Sequence, residues 1–138
     1  MAMNYANQNK YLETSIQTAT PAQLLIMLYD GAIRFCRSAI EAVNQKKYEE
    51  AHNFFVRTQD IVMEFAITLD KKAPMAEQLL SLYDYFIFRL TEANTQKVVE
   101  PAQEVLAHLM ELKETWIQAA RQTSSQGAAT TTSYSQSR

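Results

Sequence analysis

Apolar residues recur at steps of three and four through four stretches of this chain, and polar residues fill the remaining positions. In the first stretch Leu25, Leu28, Ala32, Cys36, Ala39 and Val43 form one stripe, while Gln23, Asp30, Arg34, Arg37, Glu41 and Asn44 share the opposite face. The segment "TATPAQLL" supplies a start: Thr20 can cap, Pro21 suits the first helical position, and Gln23 completes a capping box. This predicts a helix over 21–44. It runs through Asp30-Gly31, a dipeptide that usually marks a turn, because the apolar phase is not lost there. A helical glycine costs about 1 kcal/mol against alanine, and close approach of a neighbour offsets that. Asp30 falls on the polar face and Tyr29 on the flank of the stripe.

A second helix is predicted over 48–70, with Ala51, Phe55, Thr58, Val62, Phe65 and Leu69 inward and Glu49 and Glu50 at the positive end of its dipole. Pro74 in "LDKKAP" restricts Ala73 and separates it from a third helix over 75–94, carrying Leu79, Tyr83, Phe86, Leu90 and Ala93. "ANTQK" makes the next break. A fourth helix over 98–121 places Ala102, Val105, Leu109, Leu112, Trp116 and Ala119 on one face; Pro101 is tolerated in its first turn, where amides lack partners anyway. Short links between helices of this length favour antiparallel neighbours, so the expected fold is all-α, an antiparallel up-down four-helix bundle over 21–121. Residues 1–20 read as an N-terminal docking segment with Tyr5, Tyr11, Leu12 and Ile16 as its apolar mass. Residues 122–138 are Ser/Thr-rich and read as a disordered tail.

Composition sharpens this in one respect and excludes several functions. Two glycines and three prolines in 138 residues are too few for a β-sandwich or a loop-rich enzyme. Thirteen basic and fifteen acidic residues, mixed along the chain for a net charge of −2, argue against a nucleic-acid surface. Cys36 is the single cysteine, so no internal disulfide forms. No stretch has the run of about 20 apolar residues that membrane insertion requires, and no signal-peptide pattern opens the sequence. A cytoplasmic protein is expected.

Candidate chemistry is thin. Glu49 and His52 make a Glu-x-x-His pair of the di-iron type, but no second pair or further inward carboxylates complete it, and Glu104 and His108 are spaced by four. Both histidines read as solvated, and neither has the Gly-Lys surroundings of a phosphorelay site. Cys36 sits on the apolar stripe and reads as a small buried hydrophobe. The sequence contains no phosphate loop, dinucleotide fingerprint, nucleophile elbow or zinc spacing. An enzyme is unsupported, and no metal or cofactor is expected.

More informative are apolar residues that the core stripes do not use. Met27 falls among Gln23, Asp30 and Arg34. Val56, Met63 and Ile67 form a line beside the core stripe of the second helix. Phe88 stands in register with Ser81, Asp84 and Glu92, with Tyr85 close by. Scattered exposed apolar residues are ordinary, but three in helical register make a strip. Met-rich, aromatic-edged grooves suit an amphipathic partner helix. Two readings stay open on this basis: a binding module for such a partner, or a self-associating helical bundle that buries the strip against its own copy.

Three segments, "YLETSIQTATPAQLLIMLYDGAIRF", "LYDYFIFRLTEAN" and "ETWIQAA", resemble in order and spacing the flagellar secretion chaperone FliS family, over most of Tyr11 to Ala120. The combination of Tyr11, Ile16, Thr18 to Pro21, Leu28 to Gly31, Leu82 to Tyr85, Arg89-Leu90, Ala93-Asn94 and Trp116 carries the resemblance. Phe88 stands where a basic residue is common in that family. The resemblance implies a cytoplasmic chaperone without catalysis or cofactor. Such a chaperone binds the C-terminal segment of flagellin, holds it unpolymerised, and delivers it to an export gate component of the flagellar type III secretion apparatus. It also allows a co-chaperone or regulator as a further partner. Tyr11 and Ile16 become candidates for a displaceable groove cover, Met27 and Tyr29 in the LYDG region for groove wall, and Val56, Met63, Ile67, Tyr85 and Phe88 for further client contact.

Overall fold

In a computed structural model of the chain the backbone of residues 18–136 and the side chains of residues 18–122 are described. Among these residues the chain forms four helices: α1 (Pro21–Asn44), α2 (Tyr48–Thr68), α3 (Ala76–Gln96) and α4 (Glu100–Gln136). The start of α1 is built as its sequence predicts. Thr20 Oγ1 accepts from the Gln23 amide at 3.1 Å and Gln23 Oε1 accepts from the Thr20 amide at 3.0 Å, so two amides that the helix cannot satisfy are satisfied reciprocally.

The second helix also starts as predicted, and the boundaries from its end to the start of the fourth helix shift by one or two residues. Helix α2 ends at Thr68, with Leu69 extended and the Asp70 carboxylate accepting from the Lys72 amide in a tight turn. Helix α3 runs on to Gln96, through the predicted break. It stops where Lys97 turns left-handed at φ 55°, its amide returning to the Ala93 carbonyl and its ammonium to the Asn94 carbonyl and side chain. Helix α4 then starts at Glu100 with Pro101 in its first turn. Its helical backbone continues to Gln136, past the expected end at 121.

Helix pairs α1–α2, α2–α3, α3–α4 and α1–α4 pack side by side, which closes a four-membered ring with α1 and α3 across one diagonal. Cross-helix contacts fix the directions. Along α1–α2, Tyr29 meets Phe65 and Phe35 meets Phe54. Along α2–α3, Gln59 reaches Ile87 and His52 reaches Asn94, and along α1–α4, Cys36 reaches Ala102 while Asp30 reaches Lys113. In each pair one number rises as the other falls, so neighbours are antiparallel and the bundle is up-down.

The core combines alanine and larger residues. Ala32, Ala39, Ala51, Ala93 and Ala102 are fully buried and let backbones close in, while Phe55, Phe65, Phe86, Leu90 and Leu109 fill the space between. Thr58, the buried polar residue, donates from Oγ1 to the Phe54 carbonyl at 2.8 Å and so brings no unmet group inward. Gly31 answers the question its position raises. A Cβ there meets Ile61 Cδ1 at 3.3 Å, so the close neighbour is α2 of the same bundle.

Candidate partner-binding surface

One end of the core is aromatic. Tyr29 is fully buried, stacks on Phe65 with ring centres 4.1 Å apart, and shares a 2.9 Å hydroxyl hydrogen bond with Tyr83. Phe65 also packs on Tyr83, and Tyr83 on Phe86. Burial, reinforced by the Tyr83 hydroxyl, raises the ionisation of Tyr29 far above the ordinary phenol range; burial raises Tyr83 as well. Tyr29 is therefore corrected from groove wall to core: Phe65 of α2 and Tyr83 of α3 meet the flank of the α1 stripe that seemed to face outward. Burial pushes the Cys36 thiol up to about 12 and its Sγ–H points at the Ala102 carbonyl, an inert group as expected.

The histidines divide. His52 is exposed and pairs through Nδ1 with the Asn94 amide at 3.0 Å. His108 is corrected from solvated to half-buried, packing on the Phe86 ring at 5.7 Å. No group of three or more potential metal ligands is found among the described residues.

The apolar strip on α2 does reach the surface. Met63 and Ile67 are 54% and 68% exposed and Val56 37%. They share a helical face with Gln59, whose amide crosses to α3 and donates to Thr91 Oγ1 at 2.8 Å and to the Ile87 carbonyl at 3.3 Å. The strip therefore borders the α2–α3 seam. Phe88, next to Ile87 on α3, is 64% exposed. Sequence reading missed Met75: expected as the first residue of the third helix, it caps α3 instead and is exposed.

Tyr85 belongs to the other side of α3. Its hydroxyl donates to Glu104 Oε1 at 2.6 Å, and Arg89 bridges from that carboxylate to Glu92, with both contacts at 3.0 Å. The bond from Tyr85, helped by Arg89, holds the Glu104 carboxyl below the usual range, while donating that bond raises the Tyr85 phenol. Met27 is half-buried and one turn before Gly31, the residue that touches α2. It thus lies by α1–α2, apart from the strip. Tyr11 and Ile16 fall outside the described residues.

At the bundle end where α1 begins, an open cavity of about 400 Å³ is lined by Thr20, Gln23, Leu25, Trp116 and Ala119 among others. Ala119, expected inward, is exposed, on the wall of this cavity beside the start of α1. Trp116 Nε1 is buried without an acceptor in hydrogen-bond geometry.

Four antiparallel helices around a buried core, with an apolar strip exposed beside the α2–α3 seam, define an all-α up-down bundle. Comparison with known proteins supplies the family. A family model described as "Flagellar protein FliS" matches residues 3–123, and the chain belongs to that family. A relative from Bacillus subtilis, named "Flagellar secretion chaperone FliS", is 30% identical over 109 residues, covering 79% of this chain and 82% of the relative. Relatives of the same name from Campylobacter jejuni and Salmonella typhimurium are 33% and 30% identical over 110 residues, each covering 78% of this chain and 86% and 82% of theirs.

Proposed function

We propose that this protein is a cytoplasmic export chaperone that binds the C-terminal segment of flagellin, prevents its premature polymerisation and passes it to the flagellar type III secretion apparatus. The observation that carries the reading is the exposed strip of Val56, Met63 and Ile67 along the α2–α3 seam, with Phe88 also exposed on α3, on a chain of the secretion-chaperone family. An exposed, ordered apolar strip suits a helix that folds on docking, with methionine adapting to its shape. Flagellin termini that are unstructured as monomer lose ordering entropy on binding, which keeps affinity below what the buried area alone suggests and leaves release possible. Residues 1–17, with Tyr11 and Ile16, serve as a cover that competes with the client, and the open cavity at Thr20 and Trp116 lies where that segment joins α1.

Calorimetric titration with the flagellin C-terminal segment, beside an unrelated helical peptide, tests this. Met63→Glu is expected to weaken binding by more than about 1 kcal/mol and leave the unfolding midpoint nearly unchanged. Equal loss of binding and stability places Met63 in the core instead. A mass that rises with concentration in the absence of client, and falls back in Met63→Glu, assigns the strip to self-association and rejects the reading.

A further inference from the structure

The arginines of α1 and α2 take no part in the surface described above. Of the ion pairs among the described residues, none includes Arg34, Arg37 or Arg57. For the two arginines of α1 the carboxylates one turn away are otherwise engaged: Asp30, before Arg34, is held by Lys113, and Glu41, after Arg37, accepts from Gln45 at 2.7 Å; Asp60, one turn after Arg57, forms no ion pair with it. Arg37 Nη2 rests 3.5 Å from Met110 Sδ, a weak acceptor for a strong donor. Arg34 and Arg57 both stand over the Phe35 ring, at 5.8 and 5.5 Å from its centre. Each contact is favourable alone. Together they hold two like charges around one ring, neither of them in an ion pair.

Alongside, α1 and α4 leave an open cavity of about 450 Å³ whose wall includes Ile33, Arg34, Arg37 and Met110. Ile33 is almost fully buried and Met110 is 45% exposed, so the cavity has an apolar floor, and its rim carries two guanidiniums together with Glu114 and the Asp30–Lys113 pair. Because α1 lies diagonally across the ring from α3, this face looks away from Phe88.

We propose that the outer face of α1 is a second docking site, for a short acidic amphipathic helix of another protein. Its carboxylates engage Arg34, Arg37 and Arg57, and one aliphatic side chain seats between Ile33 and Met110. Guanidiniums match carboxylates in geometry, and a bound anion relieves the repulsion around Phe35. A nucleic-acid backbone fits less well. Its charges come at every step and would meet Asp30, Glu41 and Glu114, which stand among the arginines, whereas a peptide spaces its carboxylates by helical turns. The inference rests on a different face from the flagellin strip and does not depend on that reading.

The test uses the full chain, isotope-labelled for NMR, with a blocked helical peptide carrying glutamates one turn apart and a central leucine. Its glutamate-to-lysine counterpart, an oligothymidylate and the flagellin segment serve as comparisons. Shifts confined to residues 30–37, 57 and 110–114 are expected, with no binding of the lysine peptide. The double variant Arg34→Gln/Arg37→Gln is expected to bind at least about tenfold more weakly, with an unchanged unfolding midpoint and unchanged response to the flagellin segment. Loss of the flagellin response alone overturns the proposed function and leaves this site standing. Equal binding by wild type and variant, shifts along the α2–α3 seam, absence of binding, or tighter binding of the oligothymidylate at the same residues overturns the proposal. So does association of two copies through this face.

Discussion

At the scale of the residue, Tyr29 shows most clearly how neighbours decide a side chain's role. Its hydroxyl and that of Tyr83 are buried partners, and each leaves the other without one if removed. Tyr29→Phe is expected to cost about 1–2 kcal/mol in urea unfolding while leaving client affinity unchanged. The double change Tyr29→Phe/Tyr83→Phe should cost less than the sum of the two single changes, since it strands no hydroxyl. Additive losses would mean that the pair contributes no coupled stability. Gly31 is a second case. Alanine gains about 1 kcal/mol of helix propensity but needs Ile61 Cδ1 to move by a fraction of an ångström, so Gly31→Ala is expected to change stability by less than about 1 kcal/mol. Gly31→Leu, which no small shift of Ile61 accommodates, should be clearly destabilising on the same urea curve.

At the scale of the element, α3 presents two different flanks. Toward α2 it offers Ile87 and Thr91 to Gln59, with Phe88 left in solvent; toward α4 it places Tyr85 and Arg89 on Glu104. The second flank is sensitive to acid. The folded Glu104 carboxyl ionises below its unfolded value, so its contribution is present above the unfolded carboxylate range near pH 4 and is lost as pH falls through the lower folded value. NMR titration should show Glu104 ionising below the other exposed glutamates, with the Tyr85 ring signals following the same curve. A Glu104 midpoint at the ordinary value, or Tyr85 signals that do not move with it, would show that the bridge does not form. Periodicity placed Tyr85 near Phe88, among the apolar residues that the core stripe leaves over; the bond to Glu104 was invisible to it because the two are on separate helices.

At the scale of the whole molecule, the ring of antiparallel helices separates apolar surface from charged surface. The α2–α3 seam carries the apolar strip, and the outer face of α1 carries the unpaired arginines. A groove cover that competes with client lowers apparent affinity by the fraction of time it is seated. Deleting residues 1–17 should therefore raise affinity for the flagellin segment in calorimetry. Unchanged or weaker binding would remove the cover from the account.

Much of this was legible in one dimension. Helical periodicity, the Thr20 to Gln23 capping box and the short links specify four helices and their antiparallel order, because each depends on residues within a turn or two of one another. The family is legible too, since its residues are a pattern along the chain. The strip of Val56, Met63 and Ile67 could be read from register alone, as all three lie on one helix. Tertiary structure decided what depends on a second helix. It took Tyr29 inside, set α2 against Gly31, tied Tyr85 to Glu104, and gathered Arg34 and Arg57 on Phe35. The physical reason is that a stripe specifies which face is buried. The boundary between flank and core is set by how closely the neighbouring helix approaches, and that distance is fixed by side chains dozens of residues away.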